Sequence, residues 1–495
     1  MKKTYQITFI KEEISCKVPA GMTLLEAQIA AGLTPNAPCG GKGSCGKCRV
    51  SVNGNTILAC QTLIEGDMEV DTASHEEDGV QILMEGSERR VSFVPGALPK
   101  DVSAPALAAV DLGTTSVVAY LLDGKTGERL AVKSMLNPQR QYGADVVMRS
   151  SYALEKGSGI LSSCIRRSII ELLRELAMEC GKSPKDIVRV VMVGNSCMHH
   201  LFLEIPVDSL VLAPYEPKVK DALILRAADY GLMVHPLAEL WWLPNIGGFV
   251  GSDTVGCLLA SGMDQGTPMT LLVDIGTNGE MVLGNASTGL TACSTAAGPA
   301  FEGAKITCGM RGSAGAIDHV YLEKGELKYH VIGGGEPLGI CGSGLLDAAA
   351  CFLEMGIIDE SGRMKETFYF TRNVYVNQKD IRELQLAKAA ISTGIRILCR
   401  QKGIEVMDIE QMLIAGAFGN YLNTASACAV GLIPPELSGR ITSIGNAAGE
   451  GAQIAALSIL EFVRSQKLAK ETVFLELALD PEFQDIYVDE LEFPA

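Results

Sequence analysis

Four cysteines stand close together near the start of the chain: Cys39, Cys45 and Cys48 in the run CGGKGSCGKC, and Cys60 after the stretch RVSVNGNTILA. The glycines of that run let a backbone wrap tightly and aim N–H groups at sulfur, where bulkier residues would block the turn. Asn53-Gly54 is a strong two-residue hairpin signal, so the stretch after Cys48 folds back and returns Cys60 to the loop. Four converging thiolates suit an iron-sulfur centre, either 2Fe-2S or 4Fe-4S. Structural zinc also takes four cysteines, but its sites usually show two short C-x-x-C-type knuckles and here there is one, so the spacing favours iron-sulfur. The loop also contains GKGSCG, a formal G-x-G-x-x-G match. It does not join a strand to a helix, which rules out a dinucleotide fingerprint. The chain has 15 cysteines, and those outside this group are scattered in apolar surroundings as ordinary core thiols.

A second chemistry is written twice. Residues 110–115 read VDLGTT and residues 273–278 read VDIGTN, each after an apolar run. An aspartate ending a buried strand can hold a hydrated Mg²⁺, which assigns Asp111 and Asp274 to the metal of a nucleotide. The turns that follow, Gly113-Thr114-Thr115 and Gly276-Thr277-Asn278, offer backbone N–H groups and side-chain donors to phosphate oxygens. Two such hairpins facing each other would clamp the phosphates of ATP from both sides. No P-loop competes, because GKT at Gly124 and GKS at Gly181 lack the glycine five residues upstream.

Three further glycine-rich segments run from a strand or loop into a helix: GGGEPLGICGSGLLDA, IAGAFGNYL and IGNAAGEGA. In the second, Gly416, Ala417, Phe418 and Gly419 are placed on the nucleoside side of the cleft. Gly342, Ser343 and Gly344 of the first are secondary candidates, with close helix–sheet packing as the alternative for any one glycine. MVGNSCMHHLF reads as a strand entering a helix whose first residues, Asn195 and Ser196, could reach the phosphates. His199 and His200 read as packing or surface residues. In LPNIGGFVGSD, Asp253 could orient the attacking water, or it could cap the helix that follows.

These groups need elements to hold them. Thr4 to Ile10 alternates as a strand and Ile14 to Val18 returns beside it. Thr23 and Glu26 then form a capping box and Gly32 stops the helix. Strand, strand, helix, cysteine loop is the order of a β-grasp ferredoxin, and the loop resembles that of 2Fe-2S ferredoxin domains. From Asp71 to Ala106 the periodicity fades into charges and prolines. The stretch is either a semi-extended tether or a packed extension with a strand near Arg90 to Val94. The division expected is a ferredoxin-like domain at 1–72, a linker at 73–105 and an ATPase domain at 106–495. A chain of 495 residues supports several cores. Its net charge of −16 and pI near 5.0 argue against nucleic acid or an anionic membrane as partner. The start lacks the apolar core of a signal peptide and no stretch is long and apolar enough to span a bilayer, so a soluble cytoplasmic protein is expected.

The paired VD-x-GT loops resemble the phosphate loops of the ATPase superfamily of actin, heat-shock chaperones and sugar kinases. That implies a duplicated, ribonuclease-H-like α/β domain from about Ala106 to the C-terminus. Taken with CGGKGSCGKC, VGNSCMHH, LPNIGGFVGSD, AGPAFEG, GICGSG, AGAFGNYL and LALDPEFQDIYVDELEFP, nearly the whole chain resembles the reductive activators of corrinoid proteins. The resemblance implies a 2Fe-2S cluster that takes electrons from an upstream donor and passes them to the corrinoid of a separate methyltransferase-system protein. Cob(II)alamin would return to cob(I)alamin there, driven by hydrolysis of ATP with Mg²⁺. Some longer members carry a further domain between ferredoxin and ATPase, for which Asp71 to Ala106 leaves no room. Activation of another low-potential enzyme, an ATP-gated redox sensor and a kinase with an accessory cluster are the competing readings.

Overall fold

In the computed structural model the described residues are 3–494 except 34, 36, 38, 42, 44–46, 73–82, 87, 88 and 214; nothing is described of the Ala417 side chain. Thr23 and Glu26 close the capping box as the sequence predicts, the Thr23 hydroxyl accepting from Glu26 N at 3.2 Å and the Glu26 carboxylate accepting from Thr23 N at 2.8 Å. The helix they start, α1 (Leu24–Ala30), packs across a sheet of β1 (Thr4–Phe9), β2 (Ile14–Pro19), β3 (Arg49–Val52), β4 (Asn55–Leu58) and β5 (Met68–Asp71). The strand order is β2-β1-β5-β3-β4, with β1 and β5 parallel and the other pairs antiparallel, as in a β-grasp fold. Leu24, Leu25 and Ala27 meet Ile7, Phe9, Val18 and Val70 in one core. Asn53 and Gly54 both have positive φ, 52° and 78°, the geometry a tight hairpin between β3 and β4 demands.

The segment after this domain is not a tether from Leu83 onward. Met84, Val91, Phe93, Leu98 and Val102 pack against a core of the following domain, Val94 bridges Ser458, and the Arg89 guanidinium donates to Leu259 O at 2.7 Å. Val91 and Phe93 sit two apart and so turn to the same face, which is why a stretch rich in charge and proline still adheres. The strand expected at Arg90 to Val94 is reduced to that one bridge. Residues 73–82, the remainder of the proposed linker, lie outside the described residues.

Two lobes follow, built on one plan. In the first, β6 (Ala106–Leu112), β7 (Ser116–Asp123), β8 (Arg129–Leu136), β9 (Ile187–Gly194), β10 (Leu223–Arg226) and β11 (Glu239–Trp242) form a sheet ordered β10-β11-β9-β6-β7-β8. In the second, β12 (Thr270–Ile275), β13 (Gly279–Asn285) and β14 (Gly289–Thr295) repeat the meander of β6, β7 and β8, and the strand Gln411–Ala415 lies parallel to β12 as β9 does to β6. Ile441–Gly445 then takes the place of β11. The central strand β6 is buried on both faces: Ala108, Val110 and Leu112 enter one core, Leu107 and Ala109 another. That explains why it reads as a continuous apolar run.

The core holding Leu107 and Ala109 also takes Leu272 and Val282 from the second lobe, so it spans the join. The helices Ser252–Ser261 and Ala447–Leu457 pack together in it, and a Cβ on Gly451 would lie 2.1 Å from Gly256 O. Only glycine permits that approach. Among the described residues no helix is long and apolar enough to cross a membrane.

Candidate functional site

A cavity of about 300 Å³ opens between the lobes, and the two repeated hairpins face each other across it. Asp111, Gly113, Thr114 and Thr115 line it from the first lobe, and Asp274, Gly276, Thr277 and Asn278 from the second. The turns have different reasons for their glycines. A Cβ on Gly113 would meet Ser116 O at 2.7 Å, so the turn itself requires glycine there. On Gly276 it would meet only Asn278 O at 3.6 Å, so the room left by that glycine belongs to the cleft. Asn195 caps the helix Ser196–Leu203 through Met198 N and donates to Thr114 Oγ1 at 2.8 Å, fixing the first turn from the side.

Four carboxyl groups converge at the floor: Asp111, Asp253, Asp274 and Glu280. Burial is the main force on all of them, and the neighbouring carboxylates add to it for Asp111, Asp253 and Glu280. Asp111 is pushed up to about 7 although its bond with Asn446 works the other way, Asp253 to about 8, and Asp274 to about 6. Glu280 is also held well above the usual carboxylate range. Acids crowded this way repel one another until a divalent cation arrives, and oxygen ligands of this kind are what Mg²⁺ takes beside phosphates.

Of the residues proposed for nucleotide, Gly342, Ser343, Gly416 and Phe418 also line the cleft. Gly416 has φ +86°, and a Cβ there would reach 2.5 Å from Asp274 Oδ1. The Phe418 ring stacks on Phe301 with centroids 4.6 Å apart, an aromatic wall on the side proposed for the nucleoside. Ser196, Gly344, Ala417 and Gly419 are not among the lining residues. Ser196 is fully buried behind Asn195, while Gly344 and Gly419 are packing glycines, with Cβ positions 2.3 Å from Ile317 O and 2.2 Å from Ile414 Cγ2. Asp253 is not the N-cap residue, which is Gly251; its carboxyl lines the cleft and accepts from Thr254 N at 2.8 Å in the helix's first turn. His199 and His200 are buried packing residues kept neutral by burial, at about 3 and about 4.

Glu302 of AGPAFEG, Asn446 of IGNAAGEGA and Arg311 line the cavity with Glu280; the sequence marks the first two segments without marking these residues as part of the site. Glu280, also absent from the expected site, had a signal. Six residues after each repeat's aspartate the first copy has Val117 and the second Glu280, a charge on a buried strand where its counterpart is apolar.

The cysteine loop folds as its glycines suggest: Gly40, Gly41 and Gly43 have φ of 60°, 82° and 75°. Ala59 N donates to Cys48 O at 2.7 Å, bringing Cys60 back to the loop. The Cys60 thiol is pushed up to about 12 by burial, by its bond with Cys48 and by Cys39, whereas the Gly43 N–H directed at it acts in the opposite sense. The contact between the Cys48 and Cys60 sulfurs, with a backbone donor turned toward Cys60, is in keeping with an iron centre held by thiolates. Cys45 lies outside the described residues, among which no three acid, thiol or imidazole groups close to ion-binding distance. None of the described cysteines is in a disulfide.

Comparison with known proteins finds matches over three stretches of the chain. Residues 7–73 match the 2Fe-2S iron-sulfur cluster binding domain, 107–266 the RACo middle region, and 268–495 the C-terminal domain of RACo, the ASKHA domain. The corrinoid activation enzyme RamQ of Eubacterium limosum is 35% identical, over 92% of this chain and 94% of its own. The chain belongs to the family of reductive activators of corrinoid proteins. A second relative of this activator, the [Co(II) methylated amine-specific corrinoid protein] reductase of Methanosarcina barkeri, is 27% identical over 78% of this chain and 76% of its own. The solved structure of a reductive activator for corrinoid, iron-sulfur protein superposes with a TM-score of 0.70 at 28% identity, covering 99% of this chain and 98% of that one. In this activator the middle region is the first lobe of the cleft, and the duplicated ATPase fold implied by the repeated hairpins is the one observed.

Proposed function

We propose that this activator uses ATP hydrolysis to return a corrinoid protein of a methyltransferase system from cob(II)alamin to methyl-accepting cob(I)alamin, one electron at a time. The observation that carries the reading is the pairing, in one chain, of a ferredoxin-type cysteine loop with a two-lobed acidic cleft bearing facing phosphate hairpins. Cys39, Cys45, Cys48 and Cys60 would hold a 2Fe-2S cluster, which supplies one-electron transfer at low potential. Such centres lie near about −400 mV, and a one-electron couple shifts tenfold in equilibrium per roughly 59 mV. Cob(I) is a stronger reductant still, so the transfer needs a further drive.

The cleft supplies that drive by binding and hydrolysing ATP. Asp111 and Asp274 would hold the Mg²⁺, and the turns at Gly113–Thr115 and Gly276–Asn278 would bind phosphate oxygens. Phe418 and Gly416 would flank the nucleoside. Asp253 would take a proton from the attacking water, and closure of the lobes would exclude bulk solvent. The thiol-rich chain fits the reducing cytoplasm.

Anaerobic spectroscopy of the reconstituted, reduced activator mixed with cob(II) corrinoid proteins, with and without Mg-ATP, tests this. ATP-dependent cob(I), lost in Cys45→Ala and in Asp274→Ala, is expected. Cob(I) formed equally without ATP, or none with any corrinoid protein despite an intact cluster and bound ATP, would overturn it.

A further inference from the structure

One carboxylate holds both phosphate hairpins at once. Glu302 accepts from Thr115 Oγ1 at 3.0 Å with one oxygen and from Thr277 Oγ1 at 2.5 Å with the other, so it ties the first lobe to the second across the cleft. These are hydroxyls that the proposed function gives to phosphate oxygens. An anion bonded between two donors in a phosphate site stands where a phosphate oxygen would go, and both cannot be there together.

Glu302 opens a short loop that ends beside the cluster domain. The loop is pinched at its neck: a Cβ on Gly309 would lie 2.2 Å from Gly303 O, and one on Gly303 would lie 2.3 Å from Met310 O. Cys308 O and Met310 N bond to Ile340 at 2.9 Å each, which fastens the loop to the second lobe. From that loop Gly309 O accepts from Lys47 Nζ at 2.9 Å, and Lys47 is the residue before Cys48.

The rest of the cluster domain leans on the other lobe. Ile29 of α1 packs against the first lobe's core, and Gly40 is pressed so close to Tyr142 that a Cβ there would lie 3.1 Å from its carbonyl oxygen. The described ends of the cysteine loop therefore join the two lobes, Gly40 resting on the first and Lys47 pinned to the second. Any rotation of one lobe against the other must strain or break that pin, because the packed side moves with the first lobe.

We propose that Glu302 is the positioning residue through which the cleft distinguishes ATP from ADP, and that Lys47–Gly309 is the contact released when the terminal phosphate displaces it. The inference rests on the proposed ATP site. Without nucleotide, Glu302 clasps both hairpins and Lys47 pins the cysteine loop. The terminal phosphate takes the hydroxyls of Thr115 and Thr277, the Glu302 side chain swings away, and the lobes settle at a new angle. Lys47 then leaves Gly309, and the cluster face turns free for the corrinoid protein. ADP lacks the group that competes with Glu302 and leaves the pin in place.

Two measurements on the full-length holoprotein test this, neither of which reads turnover. In the first, ATP-analogue and ADP affinities are compared in wild type and in Glu302→Gln, which keeps the shape and removes the charge. The non-hydrolysable ATP analogue should bind about tenfold tighter in the variant, the scale of one charge-assisted hydrogen bond no longer to be displaced, with ADP unchanged. In the second, hydrogen–deuterium exchange of residues 39–60 is followed. The ATP analogue, but not ADP, should raise exchange several-fold in wild type, and Lys47→Met should show the raised level with no nucleotide at all. Cluster absorbance of each variant certifies that its loop is assembled.

Equal changes in the two nucleotide affinities, or loop exchange indifferent to the ATP analogue while that analogue is bound, would overturn the inference and leave the ATP site standing. Failure of wild type to bind either nucleotide would remove both.

Discussion

Binding of Mg-ATP to this activator should release protons, by an amount that follows from the floor of the cleft. The perturbation is pH in the range 6 to 8. Asp253, Asp111 and Asp274 are pushed to about 8, about 7 and about 6 from an ordinary 3.8, chiefly by burial. At pH 7 they share about 1.5 protons, against essentially none once a divalent cation restores ordinary carboxylate behaviour. The count belongs to the set, because the acids act on each other. Linkage then raises the affinity for Mg-ATP by about tenfold from pH 7 to pH 8, a range in which the terminal phosphate is already ionised. Stability of the nucleotide-free protein runs the opposite way with pH. Groups raised in the folded state contribute fully below 3.8 and lose that contribution as pH rises through about 6 to 8, so the nucleotide-free protein should melt progressively lower across that window. Calorimetric titration in buffers of different ionisation heat counts the protons directly. Asp253→Asn should remove about 0.9 of a proton from the count at pH 7. A binding heat independent of buffer at pH 7, or an affinity flat between pH 7 and pH 8, would refute the electrostatic account of the cleft.

Three substitutions probe other parts of the architecture. Cys48→Ser should abolish the visible absorbance of the reconstituted cluster while Mg-ATP still binds, since the lobes have cores of their own; loss of both would mean the domains do not fold independently. Gly416→Ala forces a side chain into φ +86° and against Asp274 Oδ1, and should cost about 1–3 kcal/mol in thermal unfolding together with most ATPase activity. Gly451→Ala drives a methyl group into Gly256 O where the two helices cross between the lobes, and should lower stability by about 1–3 kcal/mol with nucleotide affinity falling as well.

Features held in a few adjacent residues are legible in the amino-acid sequence. The hairpins at Asp111 and Asp274 declare themselves because a carboxylate, a glycine turn and a threonine hydroxyl lie within six letters of each other, twice. The β-grasp order follows from period-two alternation, a capping box and Asn53-Gly54, all short-range signals. Glycines are a poorer guide, because the same residue serves a ligand's approach and a helix's. Gly416 faces the cleft, whereas Gly344 and Gly419, of the same segments as Gly342 and Gly416, are pressed on neighbouring residues instead. Glu302 and Asn446 reach the cleft only through the fold, from positions 187 and 335 residues beyond Thr115 and Asp111 that no local pattern connects. The packed extension is hidden for a related reason: its apolar residues find their partner in a core completed by Val282 and Ala455 much later in the chain.

The acids and the clasp bear on the same step from opposite sides. Crowding Asp111, Asp253, Asp274 and Glu280 without a cation raises the free energy of the empty cleft, so part of what Mg-ATP gains on binding is relief of a repulsion already present. Glu302, bonded to both hairpins, holds the empty cleft in one arrangement despite that repulsion. A ligand that only neutralised the acids would bind without moving the lobes, and one that only displaced Glu302 would face the crowded acids with no cation among them. Mg-ATP does both, and a ligand shifts a conformational equilibrium only by its differential affinity for the two states. The two features together make the metal-bound triphosphate the species able to change the angle between the lobes, and it is across that angle that the cysteine loop is pinned.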